Sequence, residues 1–124
     1  MINLRFLFAQ MTVAAVLSAC GSPAPNREPI RWTVDEASTH EVSEAKDAIL
    51  RVLKDPGSAR FGKAWAMQGS NGLRSTCIYV NARNSFGGYT GFKIAHYANG
   101  SVQVESSDFV GQLVRSLCTA RVVK

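Results

Sequence analysis

The hydrophobic period of the chain changes at Pro56-Gly57, and this change constrains the fold more than any other feature of the sequence. Before it, apolar residues recur at steps of three and four over 38–54, which predicts an amphipathic helix. Ser38 and Glu41 have the spacing of a capping box at its start. After it, apolar and polar residues alternate, which predicts strands. The predicted strands are 60–67, 74–84, 89–98 and 102–104.

The last part of the chain adds a hairpin and a second helix. Asn99-Gly100 is the strongest hairpin signal, because a type I′ turn needs positive φ at both central residues. Ser107 is the predicted cap of a helix with an apolar stripe from Phe109 to Leu117, and 121–124 is a tail or an edge strand. We therefore predict an α+β fold, with an antiparallel sheet of three or four strands packed against an N-terminal and a C-terminal helix that cover one face.

The first twenty residues have the pattern of an export signal. Phe6 to Ala19 carries no charge and follows the single cation Arg5. As a helix this run would be about 21 Å long, too short to cross a hydrocarbon core of about 30 Å. It fits the apolar region of a secretory signal peptide, whereas a buried N-terminal helix is disfavoured by the Pro-containing stretch Gly21–Pro25 that follows.

Leu17-Ser18-Ala19-Cys20 resembles the lipobox of bacterial lipoproteins. The resemblance implies that the Cys20 thiol receives diacylglycerol and that the signal is cut before it, which gives a lipid anchor in the membrane. Gly21 stands where an Asp would resemble an inner-membrane retention signal, so we expect the outer membrane, facing the periplasm. The expected organisation is a signal peptide at 1–19, a flexible Pro-containing tether at 20–40 and a small α+β domain at 41–124. Within the tether, Trp32 and Val34 could dock on the domain or lie at a membrane or partner surface.

Lipidation of Cys20 leaves two cysteines, Cys77 and Cys118. Export places them in an oxidising compartment, so we predict a disulfide between them. A disulfide between these two cysteines would close a loop of the chain, which stabilises a small domain by at most about 4 kcal/mol on the chain-entropy model. Two buried free thiols or an intermolecular bridge are the alternatives. No Cys-x-x-Cys occurs, and His40 and His96 are isolated, so we expect neither a metal site nor a cofactor.

Two motifs of the domain are the candidates for function. The first, Leu53–Phe61, joins the first helix to the first strand of the domain, and the second, Asn81–Phe92, is a Gly-rich hairpin. Together they resemble a pattern in small exported bacterial proteins, Leu-Lys-Asp-Pro-x-Ser-Ala-x-Phe with a later Asn-Ser-Phe-Gly-Gly-Tyr-x-Gly-Phe. This resemblance implies a shared domain and no particular activity. Taken alone, the first motif is a helix stop and the second is turn chemistry with bulges.

The Gly-rich hairpin is the predicted partner-binding loop. Its candidate binding residues are Arg83, Asn84, Phe86, Tyr89 and Lys93. In this interpretation the two aromatic side chains are exposed at the tip and cations flank them. The alternative is a plain turn with two core aromatic residues.

The charge distribution and the motifs limit the classes of function that the sequence allows. The net charge is +5, with eight Lys or Arg and two acidic residues from Pro56 onward, so that this part carries +6. This favours anionic partners, although ordinary solubilising charge is an equal alternative and nucleic acid is not expected in the periplasm. The sequence lacks a P-loop ending and a Gly-x-Ser-x-Gly elbow, and no catalytic residues are identified.

We therefore expect a lipid-anchored envelope protein with a non-enzymatic binding or assembly domain and a protein or anionic envelope partner. One alternative is a small cell-wall or lipid-acting hydrolase, which would need Cys77, His96 and an acid within hydrogen-bond reach. The other is direct binding of an anionic envelope polymer. The cations of that polymer site would be Arg60, Lys63, Arg83 and Lys93.

Overall fold

The computed structural model describes Gly21 and residues 27–120. The predicted signal peptide, the predicted lipid-attachment residue Cys20 and the predicted tail or edge strand at 121–124 lie outside the described residues. The described part is an α+β domain with one antiparallel sheet, in which β1 to β5 pair in sequence order. The strands are β1 (Trp32–Asp35), β2 (Arg60–Gly69), β3 (Arg74–Asn81), β4 (Lys93–Ala98) and β5 (Ser101–Val104). The α-helices are α1 (Thr39–Val52) and α2 (Phe109–Cys118), and a 3-10 turn spans Pro56–Ser58.

The sheet has five strands rather than three or four, because β1 comes from the predicted tether. Trp32 pairs with Gly69 and Asp35 with Ala66, so this segment forms an edge of the sheet. A Cβ atom on Gly69 would stand 3.2 Å from the Trp32 ring, which shows how closely the indole covers that glycine. Only four residues pair, and β1 has no alternation of buried and exposed side chains, which explains why its sequence does not reveal a strand.

Helix α1 begins as its sequence predicts. The Ser38 hydroxyl accepts from the Glu41 amide at 3.2 Å, and the Glu41 carboxylate accepts from the Ser38 amide at 2.7 Å. These reciprocal bonds satisfy two amides at the helix N-terminus and confirm the capping box. The helix ends at Val52, where Leu53 takes an extended conformation three residues before Pro56.

The two helices pack on opposite faces of the sheet, which corrects the expectation that both cover one face. Side chains alternate along a strand, so Cys77 and Ile78 point to different sides. Ile78 lies in a core with Ile49 of α1. Cys77 lies in a second core with Val114 of α2. Both faces are apolar at their centres, and one helix is needed for each.

A disulfide fastens α2 to the sheet. The sulfur atoms of Cys77 and Cys118 are 2.00 Å apart, which is the pairing that the sequence predicts. The Trp65 indole also donates to the carbonyl of Cys118 at 3.1 Å. The cap of α2 is Asp108, whose carboxylate accepts from the Gly111 amide at 2.7 Å. The predicted cap Ser107 is therefore one residue early.

The sheet has two ends that matter for function. At the turn end, Trp32 pairs with Gly69, and the Asn99-Gly100 turn has the predicted positive φ values of 48° and 79°. At the hairpin end, Arg60 pairs with Asn81. Strand β2 has ten residues and spans about 30 Å between the two ends at 3.3 Å per residue. The chain enters the sheet at the turn end, and residues 82–92 connect β3 to β4 at the hairpin end.

Candidate functional site

The two sequence motifs pack against each other at the hairpin end. Ser58, in the 3-10 turn of the first motif, accepts through its hydroxyl from the Arg83 amide at 2.9 Å. Its carbonyl accepts from the Tyr89 hydroxyl at 2.9 Å. The Lys54 ammonium donates to the Ser85 hydroxyl at 2.7 Å. The helix stop therefore serves as the support that holds the Gly-rich hairpin in place.

The hairpin also has an internal order. Arg83 and Tyr89 form an isolated bridge, and the Asn84 side-chain oxygen accepts from the amides of Phe86 and Gly88 at 2.9 and 3.1 Å. A turn closes where the Gly87 amide donates to the Asn84 carbonyl at 3.0 Å. Gly87 has φ of 78°, a conformation that glycine adopts without a steric penalty. The loop is thus a turn that its own hydrogen bonds hold in shape.

The two candidate aromatic residues have different surroundings. Phe86 is 96% exposed at the tip, so it contributes nothing to a core. Tyr89 is 36% exposed, and its hydroxyl is bonded to Ser58. Phe86 is available to a partner, whereas Tyr89 supports the loop.

Four cations lie around this loop without a carboxylate partner among the described residues. Arg60 and Arg83 place their guanidinium carbons 4.6 and 5.6 Å from the centre of the Tyr89 ring. Lys54 bonds the Ser85 hydroxyl, and Lys93 begins β4. Across residues 27–120 none of these four side chains forms an ion pair. The hairpin end therefore presents a positive surface.

A cleft opens on the side of the hairpin that faces α1. We call it the hairpin cleft; its volume is about 320 Å³. Its lining residues are Val52, Leu53, Lys54, Val80, Ala82, Arg83, Asn84, Ser85, Thr90, Gly91, Lys93 and Val104. Three of the five predicted binding residues line it, and Phe86 and Tyr89 do not. The apolar spacing over 38–54 predicts Val52 and Leu53 on the buried face of the helix, and nothing in the local sequence marks Lys54 as a cleft residue.

Further apolar side chains are exposed near the same end. Phe92, which directly precedes β4, is 55% exposed, and a Cβ atom on Gly62 would stand 3.5 Å from its ring. Phe109 and Leu113, in the first half of α2, are 75% and 51% exposed. Phe92 belongs to the predicted strand 89–98, and Phe109 and Leu113 belong to the predicted apolar stripe of the last helix, but the structure leaves all three at the surface.

The turn end carries an ion-pair network. The Arg74 guanidinium donates to the Asp35 carboxylate at 2.7 Å, to the Glu41 carboxylate and to the Glu36 carbonyl at 3.0 Å. The hydrogen bond from Arg74, aided by the Ser38 amide, lowers the pKa of Glu41 to about 2. Arg74 likewise lowers the pKa of Asp35. A cavity of about 220 Å³ beside this network is lined by residues of both charge signs.

The groups of the alternative hydrolase site do not provide a free thiol beside a base. His96 and Cys77 are register partners on β4 and β3, but the Cys77 sulfur is bonded to Cys118. Burial lowers the pKa of His96, and its Nε2 atom has no hydrogen-bond partner within the described part. Among residues 27–120, no cluster of three or more metal-ligating side chains occurs.

Comparisons of the chain with protein-family models, with curated proteins and with solved structures found no match. Neither α1 nor α2, the α-helices of the described residues, is long and apolar enough to cross a membrane.

Proposed function

We propose that this protein is a lipid-anchored protein of the bacterial cell envelope, with a non-enzymatic domain that presents its hairpin end to a partner. The outer membrane, facing the periplasm, is the proposed location. The observation that carries the proposal is the placement of the two ends. The chain enters the sheet at the turn end, and the Gly-rich hairpin lies about 30 Å away at the other end.

The length of the anchor segment agrees with this arrangement. Cys20 precedes Trp32 by twelve positions. Twelve residues span at most about 43 Å and average about 19 Å as a flexible chain. A lipid on Cys20 would therefore hold the turn end near the membrane. The hairpin end would then point into the periplasm, toward other envelope components.

The chemistry of the hairpin end indicates the kind of partner. Phe86 offers an exposed aromatic anchor, and the four cations around it lack carboxylate partners in the described structure. Exposed aromatic and basic side chains on a fixed loop are typical of binding sites for anionic partners. We propose an anionic protein surface or an anionic envelope polymer as the partner.

The anchor is tested by the mass and location of the mature protein. The full chain, expressed in a bacterium that processes lipoproteins, is expected to lose residues 1–19 and to gain the mass of the acyl groups on Cys20. Cys20→Ser is expected to abolish acylation and to release the protein from the membrane fraction. A mature chain without acyl mass would refute the anchor.

The partner face is tested by site-specific photo-crosslinking in intact cells. A photoreactive residue replaces Phe86 at the hairpin end or, as the matched control, Leu73 at the turn end, which is 48% exposed. The proposal predicts a reproducible adduct of protein or polymer from position 86 and none of the same mass from position 73. Equal adducts from both positions, or adducts from position 73 alone, would contradict it.

A further inference from the structure

The hairpin cleft has an apolar floor. Val52 and Leu53 at the end of α1 face Val80 of β3 and Val104 of β5 across it. Val52 is 57% exposed, so part of this floor is in contact with water. An apolar group that entered the cleft would be driven there by the removal of this surface from water.

The rim of the cleft carries one sign of charge. Lys54, Arg83 and Lys93 line the cleft, and no acidic residue of the described part of the chain does. None of the three forms an ion pair with a carboxylate anywhere between Arg27 and Ala120. An anionic group at the rim would therefore meet cations that no internal carboxylate neutralises.

The walls are held in position before any ligand binds. The bond between Lys54 and Ser85 joins α1 to the hairpin, and Arg83 lies against the ring of Tyr89. The backbone of Arg83 is held by Ser58. A site fixed in this way loses less conformational entropy on binding than a mobile loop would.

We propose that the hairpin cleft binds a small anionic amphiphile, an apolar group ended by one carboxylate or phosphate. The volume of about 320 Å³ is at the low end for small-molecule sites. The inference deepens the proposed function, on which it rests, because it names the chemistry that a partner brings to the hairpin end.

Four probes of similar size separate the contributions of floor and rim. The full chain is held in lipid nanodiscs, and backbone amide shifts are followed during titration with octanoate, octyl phosphate, octanol and octyltrimethylammonium. Octanoate or octyl phosphate is expected to shift residues 52–54, 80–93 and 104. The tighter of these two identifies a carboxylate or a phosphate as the preferred group. Octanol is expected to bind at least about tenfold more weakly, since it makes no charge-assisted bond.

A matched pair of lysine variants tests the rim. Lys93→Met keeps most of the side-chain stem and removes the charge, and Lys63→Met does the same at an exposed lysine that does not line the cleft. Lys93→Met is expected to weaken octanoate binding about tenfold, and Lys63→Met less than twofold. The proposal is overturned if octanol or octyltrimethylammonium binds as tightly as octanoate, or if no cleft residue shifts.

The outcome is separable from that of the proposed function. Cleft binding is read from amide shifts, whereas anchoring is read from acyl mass and the partner face from crosslinks at position 86. Normal acylation and crosslinking with no octanoate or octyl phosphate binding would overturn the cleft inference alone. Cleft binding without acylation would overturn the anchor and leave the ligand chemistry standing.

Discussion

The two ends of the sheet use their cations in different ways. At the turn end, the Arg74 guanidinium is surrounded by the carboxylates of Asp35 and Glu41 and by the Glu36 carbonyl. At the hairpin end, Arg83 and Lys93 have no carboxylate partner in the described chain. Arg74 is saturated by groups of its own chain, so its contribution is to the fold. The hairpin cations leave their charge available to an external anion.

The two ends of the sheet also differ in the contacts that hold them in place. Arg74 ties β1 and the start of α1 to β3, which fixes the place where the chain enters the sheet. The hairpin is fixed without ion pairs within residues 27–120, through Ser58, Asn84 and the hydroxyl and ring of Tyr89. No carboxylate of the described chain neutralises its cations, so their charge is available for binding. The predictions below test this division, in order of decreasing effect.

Removal of the disulfide is expected to have the largest effect, and on both ends together. Cys77 and Cys118 close a loop with a sequence separation of 41, so replacing both by Ala is expected to lower the free energy of unfolding by up to about 4 kcal/mol. Hydrogen exchange measured over the whole chain is expected to accelerate at the turn end and the hairpin end alike. Acceleration at one end only would mean that the two ends are separate folding units.

Loss of the Arg74 network is expected to destabilise the fold more than loss of a hairpin cation. Arg74→Met removes the donor shared by β1 and α1, so the melting temperature should fall. Arg83→Met should change the free energy of unfolding by no more than about 0.5 kcal/mol, as at ordinary surface positions. Thermal unfolding of the two variants compares the ends directly. An equal or larger fall in melting temperature in Arg83→Met would contradict the claim that Arg74, and not Arg83, stabilises the fold.

Acid should weaken the turn end. The pKa of Glu41 is about 2 in the fold and 4.5 as its ordinary value, so the carboxylate contributes stability above about pH 4.5 that is lost as the pH falls toward 2. Glu41→Gln removes this dependence, and stability should then change less between pH 5 and pH 2. Urea unfolding at several pH values measures this change in the free energy of unfolding. Identical acid profiles for the variant and the parent chain would contradict the role of the carboxylate.

His96 should give the smallest effect, near neutral pH. Burial lowers its pKa below 6.5, so the stability associated with the neutral ring is complete above 6.5 and is lost as the pH falls below that value. His96→Gln cannot titrate and should flatten the difference in stability between pH 7 and pH 5. The same urea series detects this. A variant with the steeper pH dependence would show that the ring is stabilised in its charged form.

Much of the fold could be predicted from local signals. The capping box at Ser38, the break at Pro56-Gly57 and the Asn99-Gly100 turn each depend on a few neighbouring residues, and each is present. Strand β1 could not be predicted, since it exists only through pairing with β2. The placement of the helices on opposite faces could not be predicted either, because it is set by the core into which each helix packs and not by a local pattern.

The candidate site could be predicted in part. The hairpin follows from the glycines and the turn chemistry of the sequence, which leave open whether Phe86 is exposed or buried, and the structure exposes it. The cleft does not, because Val52, Lys54 and Lys93 meet only after α1 and β4 pack beside the hairpin. The contacts between Ser58 and the hairpin explain in physical terms why the two motifs occur in one chain: each holds the other in place.

The most direct test of the account measures how far each end lies from the membrane. The acylated full chain is placed in vesicles that contain an acceptor dye in the lipid, with a donor dye attached through an unnatural residue at position 73 or position 86. Energy transfer should be strong from position 73 at the turn end and much weaker from position 86, which lies about 30 Å farther along the sheet. Equal transfer from both positions, or stronger transfer from position 86, would contradict the claim that the hairpin end faces away from the anchor.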